Sequence, residues 1–362
     1  MHEHVRILLL ADSHIGFDLP VQPRVGRRRR GHDFLTNYAT ALEPAFAGEV
    51  DLVVHGGDVF DRPTVDATAA YQALEPLRRI AERGVPVFIV PGNHERSRIP
   101  HVRFALHPNV HVYDRPRTVV REIRGVSIAL TGFPYERRNV RASFPALLER
   151  AEWTRDRAAV RLLCVHHCVE GATVGPGDFT FTSATDVIRH RDVPPEFAAV
   201  LSGHIHRHQV ITRDLGGRPL DVPVLYPGSI ERTATAEIGE TKGFMIIHAG
   251  GSGARARVRW EFHPLPARPM VRKDLSIHAM TESELESAIR QIVASVPPDA
   301  VLSIRVAGEL TDAHWRRLSA AHLRMFVPDS MNVDIVPSER PLIAERTARA
   351  SIDDGLQLSL GA

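Results

Sequence analysis

Five short clusters of metal-binding residue types punctuate the chain between residues 12 and 206. They are Asp12-Ser13-His14, Gly57-Asp58-Val59-Phe60-Asp61, Gly92-Asn93-His94-Glu95, His166-His167 and Gly203-His204-Ile205-His206. Aspartate, asparagine and histidine supply oxygen and nitrogen donors of hard to intermediate character, the set that suits Mn²⁺, Fe or Zn²⁺. The D-x-H and H-x-H spacings put two side chains on the same side of an extended segment, so both can reach one metal pair. The glycines let the backbone turn sharply and approach closely. A lone D-x-H or G-H-x-H is ordinary loop sequence; several ligand-rich motifs in strict order, each after an apolar run, are not.

Those apolar runs are the elements that must position the clusters. Val5–Ala11, Leu52–His55, Val85–Val90, Val126–Thr131, Leu162–His166 and Ala198–Ser202 read as buried strands. Helical patterns at Asp33–Ala47 and Val65–Arg83 separate the early ones, which predicts an α/β fold with helices covering a sheet. In such a sheet, residues just past the carboxyl ends of the strands gather around one crevice. Val222–Tyr226, Phe244–Ala249 and Ala256–Phe262 follow one another without an intervening helix, so a second, antiparallel sheet is expected there. Pro264, Pro266 and Pro269 mark a linker. Beyond it, Thr281 and Glu284 form a capping box, and Leu285, Ala288, Ile289, Ile292 and Val293 share one helical face. A strand at Val301–Val306, a helix at Asp312–Arg324 and a strand at Asn332–Val336 complete a small α/β unit. The expected division is 1–265, 270–343 and a weakly patterned tail, 344–362.

Composition narrows the class. The chain has 362 residues, 43% hydrophobic and 24% charged, as expected of a globular protein of about two domains. Its two cysteines, Cys164 and Cys168, exclude a disulfide scaffold and fit a reducing compartment, hence the cytoplasm. No apolar run approaches the roughly 20 residues of a membrane span, and Ile7–Ala11 is too short for a signal-peptide core. The net charge of +2 decides nothing, although only two of the 45 basic residues, Lys242 and Lys273, are lysines. Cys164-Val165-His166-His167-Cys168 has the wrong spacing for a structural zinc site, and buried cysteines explain it better.

Taken with these clusters, the stretches Tyr226-Pro227-Gly228-Ser229-Ile230-Glu231-Arg232 and Glu240-Thr241-Lys242-Gly243-Phe244 resemble the calcineurin-like metallophosphoesterases, and within them the SbcD-type nucleases of double-strand-break repair. The resemblance covers residues 5–265 well and extends more loosely to a C-terminal capping domain. It implies a two-sheet sandwich flanked by helices. It places one metal on Asp12, His14, Asp58 and His206, and a second on Asp58, Asn93, His166 and His204, with Asp58 bridging. His167 competes with His166, and the family pattern favours His166. The implied chemistry is attack of a metal-activated hydroxide on phosphorus, with His94 assisting the leaving group and Asp61 supporting from behind. Glu95 stands where the family usually has Asp, and Glu at this position also occurs in related protein phosphatases; it is expected to orient His94.

The resemblance further implies a 3′→5′ exonuclease on duplex ends and an endonuclease on single strands. Mn²⁺ is the expected ion, DNA the substrate, and an SbcC-type ATPase and a homodimer built on the Val65–Arg83 helix the expected partners. Arg27, Arg28, Arg29 and Arg30, with Arg96, Arg98 and Arg103, are candidate phosphate contacts. No interleaved aromatics mark a base-stacking platform. The rival readings are a phosphatase or phosphodiesterase acting on a small molecule or phosphoprotein, and a non-catalytic scaffold of the same fold. The scaffold would be favoured by lost ligands, and none is missing.

Overall fold

A computed structural model describes residues 4–18, 27–251 and 256–338. The tail expected at 344–362 lies outside the described residues. In chain order the elements begin with β1 (Val5–Leu10), α1 (Arg30–Phe46), β2 (Leu52–His55), α2 (Ala67–Glu82), β3 (Val87–Ile89) and β4 (Val110–Val112). Next come β5 (Arg117–Ile123), β6 (Val126–Gly132), α3 (Val140–Arg150) and β7 (Val160–Val165). Four two-residue strands follow: β8 (Cys168–Val169), β9 (Thr173–Val174), β10 (Phe179–Thr180) and β11 (Val187–Ile188). Then come β12 (Ala199–Ser202), β13 (Gln209–Arg213), β14 (Pro219–Tyr226), β15 (Gly243–Gly250) and β16 (Arg257–Pro264). The remaining elements are β17 (Met270–Ser276), α4 (Glu282–Ala294), β18 (Val301–Ala307), α5 (Asp312–Leu318), α6 (Ala320–Leu323) and β19 (Asn332–Ser338).

Two six-stranded sheets dominate the first compact unit, which takes residues 4–18, 31–233, 239–251 and 256–266. One sheet runs β16-β15-β1-β2-β3-β4, the other β13-β14-β12-β7-β6-β5. Side chains alternate across each strand. Val5, Ile7 and Leu9 of β1 therefore enter a core shared with Leu130, Leu162 and Leu201, whereas Leu8 and Leu10 face Phe34, Leu74 and Leu77 under the helices. Burial on both faces is why these strands read as unbroken apolar runs. The outer face of the second sheet packs against α3 and the β8–β11 segment through Phe144, Val165, Phe197 and Val224. Helices thus cover two facing sheets, the expected α/β sandwich.

The membership of the sheets corrects one expectation. The late strands do not form an antiparallel sheet of their own. β15 pairs antiparallel with β1, the parallel strands' open edge, and carries β16 with it, whereas β14 joins β12 in parallel. The nucleus of the second sheet is instead the parallel trio β6, β7 and β12, strands that look in sequence like a continuation of the first.

The second compact unit holds residues 27–30, 234–238 and 267–338. Its parallel sheet runs β17-β18-β19, and its core is built from Leu285, Ile289, Leu302, Ile304 and Val306. The Thr281–Glu284 capping box forms as expected. The helix expected at Asp312–Arg324 breaks at Ser319, whose extended backbone and hydroxyl cap the amide of His322. β17 begins directly after the proline run and has no counterpart among the strands expected from sequence.

Among the polar supports, Asp51 at the start of β2 accepts the amide, Nε and an amino group of Arg6 at 2.8, 3.1 and 2.9 Å. Burial pushes the Asp51 carboxyl up, but these bonds outweigh it and hold it below its ordinary value. A depressed carboxylate contributes stability above its unfolded pKa of about 3.9 and loses it as pH falls through the folded value. Asp51→Asn should therefore cost about 1–2 kcal/mol in urea unfolding at pH 7. The gap from wild type should narrow below about pH 4.

Candidate metal centre

The five clusters all lie just beyond strand ends: Asp12 and His14 after β1, Asp58 after β2, Asn93 and His94 after β3, His166 after β7, and His204 and His206 after β12. Backbone bonds stitch the loops together. Asp12 N donates to Gly57 O at 2.9 Å, His14 N to Asp58 O at 3.1 Å and Ile15 N to Val59 O at 2.9 Å. Asp12, His14, Asp58 and His204 all hold positive φ, at 51°, 42°, 50° and 80°. Such conformations persist in non-glycine residues only where the surroundings over-determine them.

All seven expected ligands converge. Asp58 Oδ2 lies 3.1 Å from His166 Nε2. Asn93 Oδ1 lies 3.0 Å from that nitrogen and 2.9 Å from His204 Nδ1. His14 Nε2 and His206 Nε2 face each other at 3.0 Å, and His206 Nε2 stands 4.0 Å from Asp12 Oδ1. Three triplets have donor atoms within 4.8 Å of one another: Asp12, His14 and His206; His14, Asp58 and His94; Asp12, Asp58 and His166. His167 points elsewhere, with Nε2 accepting from Glu136 N at 3.0 Å and its ring stacked on Tyr135. Both cysteines are buried, and neither belongs to such a triplet.

The chemistry of this donor set calls for cations. His166 Nδ1 donates to Gly56 O at 2.7 Å, so a neutral His166 turns its Nε2 lone pair toward Asp58 Oδ2 and Asn93 Oδ1. Three acceptor atoms then face one another, an arrangement stable only with a proton or a metal ion between them. Burial disfavours charge on His166, but the Asp58 carboxylate outweighs it and raises the imidazole to about 9. Burial raises Asp12, whereas His166 prevails over burial at Asp58 and lowers it. Two buried carboxylates ringed by imidazoles and an amide match a divalent pair, and the residues present fit one.

Other groups hold the donors in place. His94 Nδ1 donates to Asp61 O at 2.7 Å and its backbone amide to Asp58 Oδ1 at 3.0 Å. That leaves His94 Nε2 facing the cluster, 4.0 Å from Asp58 Oδ2, on a side chain 23% exposed against 2% for Asp58. Asp61 Oδ1 also lies 3.7 Å from His14 Nδ1. Glu95, expected to orient His94, does something else. Its carboxyl accepts Phe60 N at 2.9 Å and Gly92 N at 2.7 Å, clasping the second and third loops, and burial pushes its pKa up to about 8. The glutamate is long enough to reach those amides, and the Asp61 carbonyl takes the role assigned to it.

Three groups escaped the sequence reading. His55 accepts Gly57 N on Nδ1 at 3.3 Å and meets Ser13 Oγ at 2.8 Å, forming a floor beneath the loops; burial lowers its pKa to about 3. Buried Lys242 donates to His206 O at 2.9 Å and to Glu240 at 2.7 Å, steadying the last ligand loop. Tyr135, 5.6 Å from the His204 ring, borders the site. Only Lys242 had a sequence signal, within the Glu240–Phe244 stretch.

The arginine candidates divide. Arg27 donates to Val327 O at 3.2 Å and Pro328 O at 2.7 Å and lies 3.5 Å from Asp329, all within the second unit. Arg30 is buried at the start of α1. Arg27 thus spends its donors within the protein, and Arg30 is buried, which corrects their reading as phosphate contacts. Arg28 is exposed and Arg29 half-buried. Arg96, Arg98 and Arg103 are exposed.

Gly92 permits the tightest approach in the site: a Cβ there would stand 2.1 Å from Asp58 Oδ1. Gly92→Ala should therefore displace this carboxylate and weaken Mn²⁺ binding about 10–100-fold by calorimetric titration. Wild-type affinity in that variant would count against Asp58 as a ligand.

A family profile described as calcineurin-like phosphoesterase matches residues 5–208. The DNA double-strand break repair protein Mre11 of Methanosarcina mazei is 24% identical over 98% of this chain, which spans only 56% of that relative's length. Mre11 of Thermoplasma acidophilum is 23% identical, covering 75% of this chain and 70% of its own. An uncharacterized metallophosphoesterase of Bacillus subtilis, YhaO, is 23% identical over 57% of this chain and 47% of its own. Among solved structures, a dimetal phosphatase from Danio rerio aligns over 71% of this chain and 98% of its own, at 13% identity and a TM-score of 0.42. The profile match spans more than half the chain and takes in every strand-end cluster, so the chain belongs to the calcineurin-like phosphoesterases and is a metal-dependent hydrolase.

Proposed function

We propose that this chain is a DNA repair nuclease: a phosphodiesterase that cuts DNA 3′→5′ from duplex ends and endonucleolytically in single strands. The observation that carries this reading is the convergence of all seven donors, joined to relatives whose names are those of break-repair proteins. Asp12, His14, Asp58 and His206 would hold one divalent ion, and Asp58, Asn93, His166 and His204 the other, with Mn²⁺ the ion we favour. Bound there, two divalent ions supply Lewis acidity toward a phosphoester and acidify the attacking water.

The chain's own side chains do the rest. The Gly56 carbonyl fixes His166 with Nε2 inward. Thr233 Oγ1, 3.2 Å from His206 Nδ1, leaves the Nε2 of that ring facing His14. With Nδ1 held by Asp61 O, a protonated His94 carries its second proton on Nε2, the partly exposed nitrogen, and can deliver it to a leaving oxygen. Exposed Arg96 and Arg98, two and four residues after His94, would meet flanking phosphates, with Arg28 and Arg29 as further contacts. The reading also includes residues 270–343 as a capping domain and a cytoplasmic location. Among the described residues no helix is long and apolar enough to cross a membrane. An SbcC-type ATPase and a second copy are the proposed partners. Exposed Tyr71 on α2, with Val102 and Leu106 nearby in sequence to its packing partner Phe104, supports an apolar contact between copies.

A Mn²⁺-dependent assay on duplex DNA, single-stranded DNA and a small aryl phosphodiester tests this. Cleavage of the aryl ester alone would replace the nuclease with a small-molecule phosphodiesterase, and inactivity on all three would favour a scaffold. His94→Ala should retain two metals per chain by elemental analysis while losing about 10²–10⁴ in turnover. Loss of metal from that variant would make His94 a ligand beside His14 and Asp58, and not an acid.

A further inference from the structure

An open cleft of about 450 Å³ lies along the edge of the second sheet, and four arginines line it. Arg115 and Arg117 come from the start of β5 and the turn before it, Arg150 ends α3, and Arg155 follows in the next turn. They differ in availability. Arg155 pairs with Glu152 at 2.7 Å. Arg115 and Arg150 are exposed and make no side-chain hydrogen bond or ion pair among the described residues. Arg117 is half-buried: an amino group donates to Val112 O, the guanidinium carbon lies 5.8 Å from the centre of the Tyr113 ring, and Nε is buried with no hydrogen-bond partner. A buried guanidinium N–H without an acceptor is destabilising, and native structures seldom keep one without reason. With Arg155 neutralised, three cations face the single carboxylate of Asp156.

The strand register locates this cleft relative to the metal centre. Arg117 pairs with Gly132 across β5 and β6, and Gly132 with Cys164 across β6 and β7, two residues before His166. Two strand spacings, about 10 Å, separate Arg117 from that row, at the same end of the sheet. A strand held at the metal centre carries further phosphates on either side of the bond being cut, and this cleft lies on the flank they would follow. Guanidinium forks match phosphate oxygens in shape and charge.

We infer that Arg115, Arg117 and Arg150 form a phosphodiester-binding subsite that holds the nucleic-acid backbone flanking the bond being cut. The inference rests on the nuclease reading above and adds to it a site for the flanking strand. Such contacts set register and affinity without reading sequence.

The test uses the full chain and a labelled single-stranded oligonucleotide, with Ca²⁺ replacing Mn²⁺ during binding and aryl phosphodiester turnover in Mn²⁺ measured alongside. The double variant Arg115→Ser/Arg150→Ser should bind about three- to tenfold more weakly, and its slope of log affinity against log salt should be shallower by about 1.4. Its aryl ester turnover should stay at the wild-type level. Arg117→Lys, which keeps the charge but loses Nε, should bind several-fold more weakly while its aryl ester turnover stays at the wild-type level. If the wild type binds and cuts the oligonucleotide and both variants match it in affinity and salt slope, the subsite is overturned while the nuclease reading stands. Equal losses of binding and aryl ester turnover would also overturn it, since the arginines would then act through the metal centre. A wild type that turns over the aryl ester but binds no oligonucleotide would remove the nuclease reading and the subsite together.

Discussion

Two carboxylates buried within reach of the same imidazole set the terms for the rest of the first unit. Asp12 and Asp58 each approach His166, whose ring is fully buried. Removing such charges from water is expensive unless opposite charge accompanies them. The surrounding architecture addresses this requirement. Parallel strands end together, their loops bond to one another, and backbone carbonyls turn the rings so that lone pairs face inward. The positive φ values at Asp12, His14, Asp58 and His204 are the local cost, sustained by the apolar layers above and below.

The division of labour follows residue chemistry. Asp12, His14, Asp58 and His166 occupy the inner wall, where exposure is near zero, while Asn93, His204 and His206 are half-buried at its rim. His94, suited to handle a proton, shares that rim at 23% side-chain exposure. Behind the wall, uncharged or internally paired groups do the bracing: His55 beneath the first two loops, Glu95 between the second and third, Lys242 behind the last. Glu95 shows why a motif residue is easily misassigned. Its neighbour in sequence is His94, but its carboxyl is used where two backbone amides would otherwise be buried unpaired.

Much of this was legible in the amino-acid order because strand-end motifs combine two local signals, an apolar run and a turn rich in donors. Asp12, His14, Asp58, Asn93, His204 and His206 each follow such a run, and His166 over His167 matches the period-two alternation continuing from β7. Long-range choices were not legible. Nothing local to Gly243–Gly250 says that its partner is β1. Nothing in Arg27–Arg30 says that Arg27 bonds to carbonyls three hundred positions away. Ser319 breaks a helix through its own backbone geometry, which helical periodicity does not register. Tyr135 and His55 are ordinary residues in their sequence neighbourhoods and gain their places only when separate strands come together.

His14 and His206 stand 192 positions apart in the chain and 3.0 Å apart in space. An ion gripped by both, as proposed, would work as a removable crosslink over more than half the polypeptide. Because the unfolded chain offers no comparable grip, each tenfold rise in free ion above the dissociation constant adds about 1.4 kcal/mol to the resistance of the fold. With such a grip, the supply of ions in the surroundings would govern how long the protein survives as well as how fast it works, and starvation for metal would erode both together.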